Sequence, residues 1–264
     1  MLTSSLLAAQ PRILHGFSTR EGGVSALPHT ASMNVAKERG DTNETVIENI
    51  RLFAHRVSGG RLNASAVVCA SQIHSTRIRR VTAENCGEGA TRPTGEDCDG
   101  FITDTPAVLM MVRVADCTPI LFSAHRADDS PIVCAVHAGW RGTVAGIAAE
   151  AVRLIGEMGG ERHTIRCALG PAIRACCYEV KEDFREAVAA MRGADFADAY
   201  IRPRDGKLFA DVPGMNVRIL LEAGLCEEQI DVLPHCTACR PDLFHSHRAT
   251  GGIRGAMGAM IGFL

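Results

Sequence analysis

The stretch CDGFITDTPAVLMMVRVADCTPILFSAH, residues 98–125, is followed almost at once by PIVCAVHAGW, residues 131–140. These are apolar segments of strand length, parted by short polar breaks and with no helix-like segment between them. The first is expected to form two or three strands and the second one more. A doubly wound parallel sheet needs a crossover helix between successive strands, so strands that come in runs argue for an α+β protein with mixed, largely antiparallel sheets.

The rest of the chain fits around that run. ILHGFSTREGGVS reads as a short strand and a polar glycine loop, and SAVVCASQIHSTRIRRV as two strands or one bent strand. DTNETVIENIRLFAHRV reads as a capped helix with Val46, Ile50, Phe53 and Val57 on one face, ending in a loop at Gly59–Gly60. GTVAGIAAEAVRLIGEMGG is expected to be one helix, with Val144, Ile147, Ala148, Ala151, Leu154, Ile155 and Met158 on one face and Gly159–Gly160 closing it. KEDFREAVAAMR and DVPGMNVRILLEAGL are expected helices, the second ended by Gly224, while TIRCALGPAI, QIDVLP, DLFHSHRAT and AMGAMIGFL are expected strands. With no repeat, low-complexity tract or long linker, the 264 residues are expected to form a single domain, 1–264.

Charge narrows the function. A net charge of -2 with no basic stripe argues against a nucleic-acid partner. No apolar run approaches the ~20 residues that span a bilayer, so no membrane partner is expected. MLTSSLLAAQPRILHG lacks the basic start of a signal peptide, so the expected location is cytoplasmic. Most of the eleven cysteines lie inside apolar runs and read as small core residues, which leaves one or two for chemistry.

Three stretches set a metal-type ligand at the end of an apolar segment: His74 in SQIHS, Cys117 in VRVADCTPI and His137 in AVHAGWRG. Two imidazoles and a thiolate suit zinc, and three protein ligands with one open position is the pattern of catalytic rather than structural zinc. The wide sequence separation leaves the plain alternative open, two partly buried structural histidines and a core thiol. Arg141, where a helix is expected to begin, could clamp an anion or simply pair with a nearby Asp while Trp140 packs. Arg20 in FSTREGG, Gln72 two residues before His74, Asp116 before Cys117, and Arg248 after FHSH are further polar candidates. Cys236 and Cys239 in CTAC have redox or zinc spacing without a second CxxC, and Cys176–Cys177 reads as a turn.

Taken together, HGFSTREGGVS, SQIHS, DGFITDTP with ADCTPILF, AVHAGWRGT, GPAIRACCYEV and CTACRPDLFHSHR form ordered blocks over nearly the whole chain. The sequence resembles the YfiH-like family, also called the laccase-domain or multicopper polyphenol oxidase family and read as purine nucleoside phosphorylases. The resemblance implies a four-layer α/β/β/α sandwich and a zinc site of His74, Cys117 and His137. It implies phosphorolysis of adenosine, inosine, guanosine and methylthioadenosine, with adenosine deamination as a side activity. The implied partners are purine nucleosides and phosphate. Arg20, Gln72, Arg141 and Arg248, the polar candidates above, are the residues expected to contact them, in a monomer or homodimer. One departure is that FHSHRAT lacks the aromatic and second basic residue usual around the last Ser-x-Arg, which bears on substrate preference. Three other readings use the same residues. They are a cysteine hydrolase or amidase of peptidoglycan precursor editing built on Cys117 and His137, a copper polyphenol oxidase, and a non-enzymatic binding protein.

Overall fold

The computed structural model describes residues 1–264. In chain order, α1 (Ser5–Ala8), β1 (Ile13–Phe17), α2 (Asn43–Val57), β2 (Val67–Val68) and β3 (Ile78–Arg80) come first. The strand-rich centre is β4 (Gly100–Thr103), β5 (Leu109–Val114), β6 (Thr118–His125) and β7 (Pro131–Ala138). Then follow α3 (Trp140–Val144), α4 (Ile147–Glu157), β8 (Arg166–Leu169), β9 (Glu179–Val180), α5 (Glu182–Arg192) and α6 (Ala194–Tyr200). Last are β10 (Ile201–Arg204), β11 (Lys207–Ala210), α7 (Val212–Glu222), β12 (Ile230–Val232) and β13 (Met257–Phe263).

One sheet has the order β1-β13-β5-β2 and a second the order β12-β8-β6-β7-β4-β3. Their pairings are antiparallel except β2–β5, β12–β8 and β3–β4. The two sheets pack face to face through Phe17, Met110, Val112 and Ile261 on one side and Leu121, Val133, Ala135 and Ala168 on the other. Helix α2 covers the smaller sheet, with Ile50 and Phe53 against Leu109, Met111 and Met260. Helices α4 and α7 cover the larger one, with Ile147, Ile155 and Ile219 against Phe122, Ile132 and Val136. The layers therefore run helix, sheet, sheet, helix, the expected α+β sandwich. In β7, Ile132, Cys134 and Val136 face α4 while Val133 and Ala135 face the other sheet. Both faces of the strand are covered, which is why its sequence is apolar throughout rather than alternating. Each large apolar side chain buried this way contributes roughly 1.5–3 kcal/mol.

Local structure departs from expectation in two segments. The helix expected from Gly142 to Met158 is two helices, because Gly146 takes a left-handed conformation (φ 92°) between α3 and α4. Val144 consequently packs with Phe184, Val188 and Met215, away from the Ile147 stripe. DLFHSHRAT is not a strand. Phe244 N–H donates to Arg240 and Gly252 N–H to His247, so turns satisfy its backbone. SAVVCASQIHSTRIRRV is two short strands, β2 and β3, the first of the two forms expected, joined by an irregular segment that carries His74 at φ 61°. A three-stranded sheet, β10-β11-β9, was not anticipated. Its β10–β11 hairpin turns at Asp205–Gly206, both at positive φ, an Asp-Gly pair of the kind that favours such turns. No helix is long and apolar enough to cross a membrane.

Candidate metal centre

Strand pairing builds the centre. In the β6–β7 ladder Thr118 pairs with Ala138 and Pro119 with His137, so Cys117 lies beside the end of β7. His74 comes from the segment between β2 and β3. The ligand atoms of His74, Cys117 and His137 all lie within 4.8 Å of one another. Cys117 Sγ is 3.9 Å from His74 Nε2, and the two imidazoles meet edge to face with centroids 4.9 Å apart. Gly139 is required here, since a Cβ would stand 2.5 Å from His74 Cδ2.

Asp99, just before β4, holds this arrangement and was missed as a functional residue, although it opens the DGFITDTP block. It is wholly buried. Its carboxylate accepts from the backbone N–H of Ile73, His74 and Ser75 at 3.2, 2.9 and 2.6 Å, and from Ser75 Oγ at 2.8 Å. It also accepts from His137 Nδ1 at 2.9 Å. One carboxylate thus fixes the His74 segment and commits the Nδ1 proton of His137, leaving Nε2 for the cluster, as in carboxylate–histidine–metal sites. Burial alone would raise the Asp99 pKa, but the bonds from His137 and Ser75 hold it down at about 2.

Burial would raise the Cys117 thiol, but the neighbouring His137 and His74 bring it down to about 6. Burial would lower His137, but the Cys117 charge and the Asp99 bond hold it up at about 9. The donor set fits a zinc ion, with one thiolate, two imidazoles and an orienting carboxylate. The same geometry is also a Cys–His–Asp arrangement able to activate a nucleophile.

Of two cavities of ligand size, only the first includes the cluster residues. It is about 390 Å³ and is lined by all three of them together with Gln72, Arg113 and Arg254. The other, about 730 Å³, is lined by Trp140, Arg141, Tyr178, Lys181, Phe184 and Arg248. A larger cavity of about 950 Å³ lies along α4, where Arg153 is paired with Glu150 and Glu157, and it contains no ligand cluster.

The polar candidates separate on this map. Arg141 forms no ion pair; its guanidinium lies 4.4 Å over the Trp140 ring, at the second cavity. Its helix, α3, has only five residues, so the anion reading rests on the side chain. Arg248 lies 4.9 Å over Tyr178 and donates to the Glu179 carbonyl at 2.6 Å. Asp116, at φ 97°, accepts from Arg248 N–H at 2.7 Å and from Thr237 Oγ1 at 2.6 Å, tying those loops to the Cys117 turn. Gln72 lines the first cavity but uses both ends of its amide on the backbone of Arg113. Arg20 lines neither cavity, and its guanidinium donates to the carbonyls of Ala31, Pro241 and Pro28. Sequence reasoning did not single out Arg254, half-buried with its Nε unpartnered and in no suggestive motif, or Arg113, which lies in VRVADCTPI but reads there as part of an apolar strand.

Fold and site define a class, a four-layer sandwich whose His–Cys–His centre joins the ends of β6 and β7 to the segment between β2 and β3. The chain belongs to the family described as multi-copper polyphenol oxidoreductase laccase, whose profile matches residues 14–264. It is 33% identical over 254 residues to the purine nucleoside phosphorylase YlmD of Bacillus subtilis, covering 95% of this chain and 88% of that one. Among solved structures, the hypothetical protein YfiH of Bacillus licheniformis superposes with a TM-score of 0.88 at 31% identity, covering 98% of this chain and 96% of that one. YlmD from Geobacillus stearothermophilus gives 0.84 at 32% identity, covering 96% and 93%.

Proposed function

We propose that this protein is a zinc-dependent purine nucleoside phosphorylase acting on adenosine, inosine, guanosine and methylthioadenosine, with adenosine deamination as a side activity. The observation that carries the reading is the His74–Cys117–His137 centre opening into a cavity that also bears Arg113 and Arg254, with a separate aromatic cavity holding Arg141 and Arg248. Both cavities fall in the usual size range for small-molecule sites, roughly 300–1,000 Å³. Relatives named purine nucleoside phosphorylase support the reaction class.

In phosphorolysis a phosphate oxygen bonds to the ribose anomeric carbon while the bond to the purine nitrogen breaks, and the base departs with that electron pair. Arg141 and Arg248 hold the phosphate in this reading, their guanidinium groups braced on Trp140 and Tyr178. Burial, and then the nearby Cys117 charge, push the Tyr178 hydroxyl up to about 12, so the ring under Arg248 stays uncharged. Arg20, engaged with three carbonyls, acts as a brace, and Gln72 shapes the first cavity. Zinc held by His74, Cys117 and His137 would supply a Lewis acid with one open position. Copper oxidase chemistry draws on several histidine-rich sites, and His245 of the single His-x-His is buried against the Met33 carbonyl instead.

Inosine and phosphate mixed with the protein should give hypoxanthine and ribose 1-phosphate. Base release that does not depend on phosphate would overturn the reading. The Cys117–His137–Asp99 geometry supports a second reading, a cysteine hydrolase or amidase acting on peptidoglycan precursors. That enzyme would form a covalent adduct on Cys117 and survive chelation, whereas the phosphorylase would do neither.

A further inference from the structure

A second cluster lies outside this centre. The sulfurs of Cys176, Cys177, Cys236 and Cys239 all lie within 4.8 Å of one another, with Cys176–Cys239 at 3.5 Å and Cys177–Cys239 at 3.3 Å. We infer that these four cysteines bind a second metal ion, a tetrathiolate zinc that pins the turn before β9 to the CTAC loop.

The spacing suits a metal better than a disulfide. Zn–S bonds of about 2.3 Å in a tetrahedron place sulfurs ~3.8 Å apart, inside the observed spread. A disulfide needs about 2.05 Å, and no pair approaches it. Two backbone segments far apart in sequence supply two ligands each. They are already joined by a parallel bridge between Ala172 and Cys236 and by Thr237 N–H donating to Ala172. Cys176 and Cys239 are exposed, so an ion can enter and a chelator can reach it.

The second metal would serve the first centre without touching it. Cys177 immediately precedes Tyr178, over which Arg248 lies. Thr237, inside the CTAC loop, bonds Asp116, the neighbour of Cys117. Fixing the two loops therefore fixes one wall of the second cavity.

The test is metal counting on the full chain purified under reductant, loaded with zinc and then separately with cobalt. Wild type should hold two ions, and C236S/C239S should hold one. H74A/H137A should keep one ion, with the intense sulfur-to-cobalt absorption of four thiolates, and C236S/C239S should lose that absorption. If C236S/C239S fails to fold, the wild-type and H74A/H137A counts still decide. A single ion in wild type with none in H74A/H137A, or a disulfide mapped among the four cysteines of the purified protein, overturns the inference.

Discussion

Replacing Asp99 by Asn keeps the side chain's shape but removes the charge on which the N–H groups of Ile73, His74 and Ser75, and Nδ1 of His137, converge. Metal affinity, measured by competition with a chelator, should fall about 10- to 100-fold while the fold remains. Cys117 should react slowly with iodoacetamide when metal is bound and quickly after chelation, because its proximity to two histidines otherwise leaves it a thiolate. Rapid alkylation of the loaded protein would instead favour the nucleophile reading. Arg141→Ala and Arg248→Ala should each raise the phosphate KM about tenfold with metal content unchanged, one charged hydrogen bond contributing roughly 1.5–3 kcal/mol. At this scale the sequence was informative where a ligand type closed an apolar run, as for His74, Cys117 and His137. It was silent on Asp99, because nothing local marks a carboxylate that serves a segment 25 residues away.

The elements were legible where one periodicity ruled a segment. Strands β4 to β7 and helix α2 carry their own patterns, and α2 is capped as expected, with Thr42 accepting from Thr45 N–H at 3.2 Å. The α3–α4 break was hidden because a glycine inside an apolar stripe looks like helix until its backbone turns left-handed. The CTAC to FHSH region misled because its buried Phe244, His245 and Ser246 are held by turns and side-chain bonds that alternation does not report. Two glycines should now behave differently. Gly146 has open space around the missing Cβ, so Gly146→Ala meets only the left-handed penalty and should cost about 1–2 kcal/mol in denaturant unfolding. Gly139→Ala drives a methyl into His74, so its first symptom should be lost metal.

Over the whole molecule, acid should weaken the fold before its carboxylates protonate. Burial, then Arg20, lowers His245 to about 4, and burial lowers His15. Between the ordinary histidine pKa of about 6.5 and the depressed value, the unfolded chain binds protons that the folded chain refuses. The contribution of these two histidines is therefore full above about pH 6.5 and falls as pH drops towards 4, by up to about 1.4 kcal/mol per pH unit for each. Asp99, depressed to about 2, adds its own loss only at lower pH. The thermal midpoint should drop between pH 7 and 5, and the drop should be smaller in His245→Gln. The layered sandwich has a further consequence, for the order in which the chain assembles. Cys117 and His137 are brought together by one hairpin, β6–β7, whose contacts are local. His74 joins them only when β4, which follows Asp99, has docked on β7 across a much longer span of chain. Local contacts form early and distant ones late. During refolding the site should pass through a two-ligand stage, and tight metal capture should coincide with the slowest step, so bound metal would time the completion of folding.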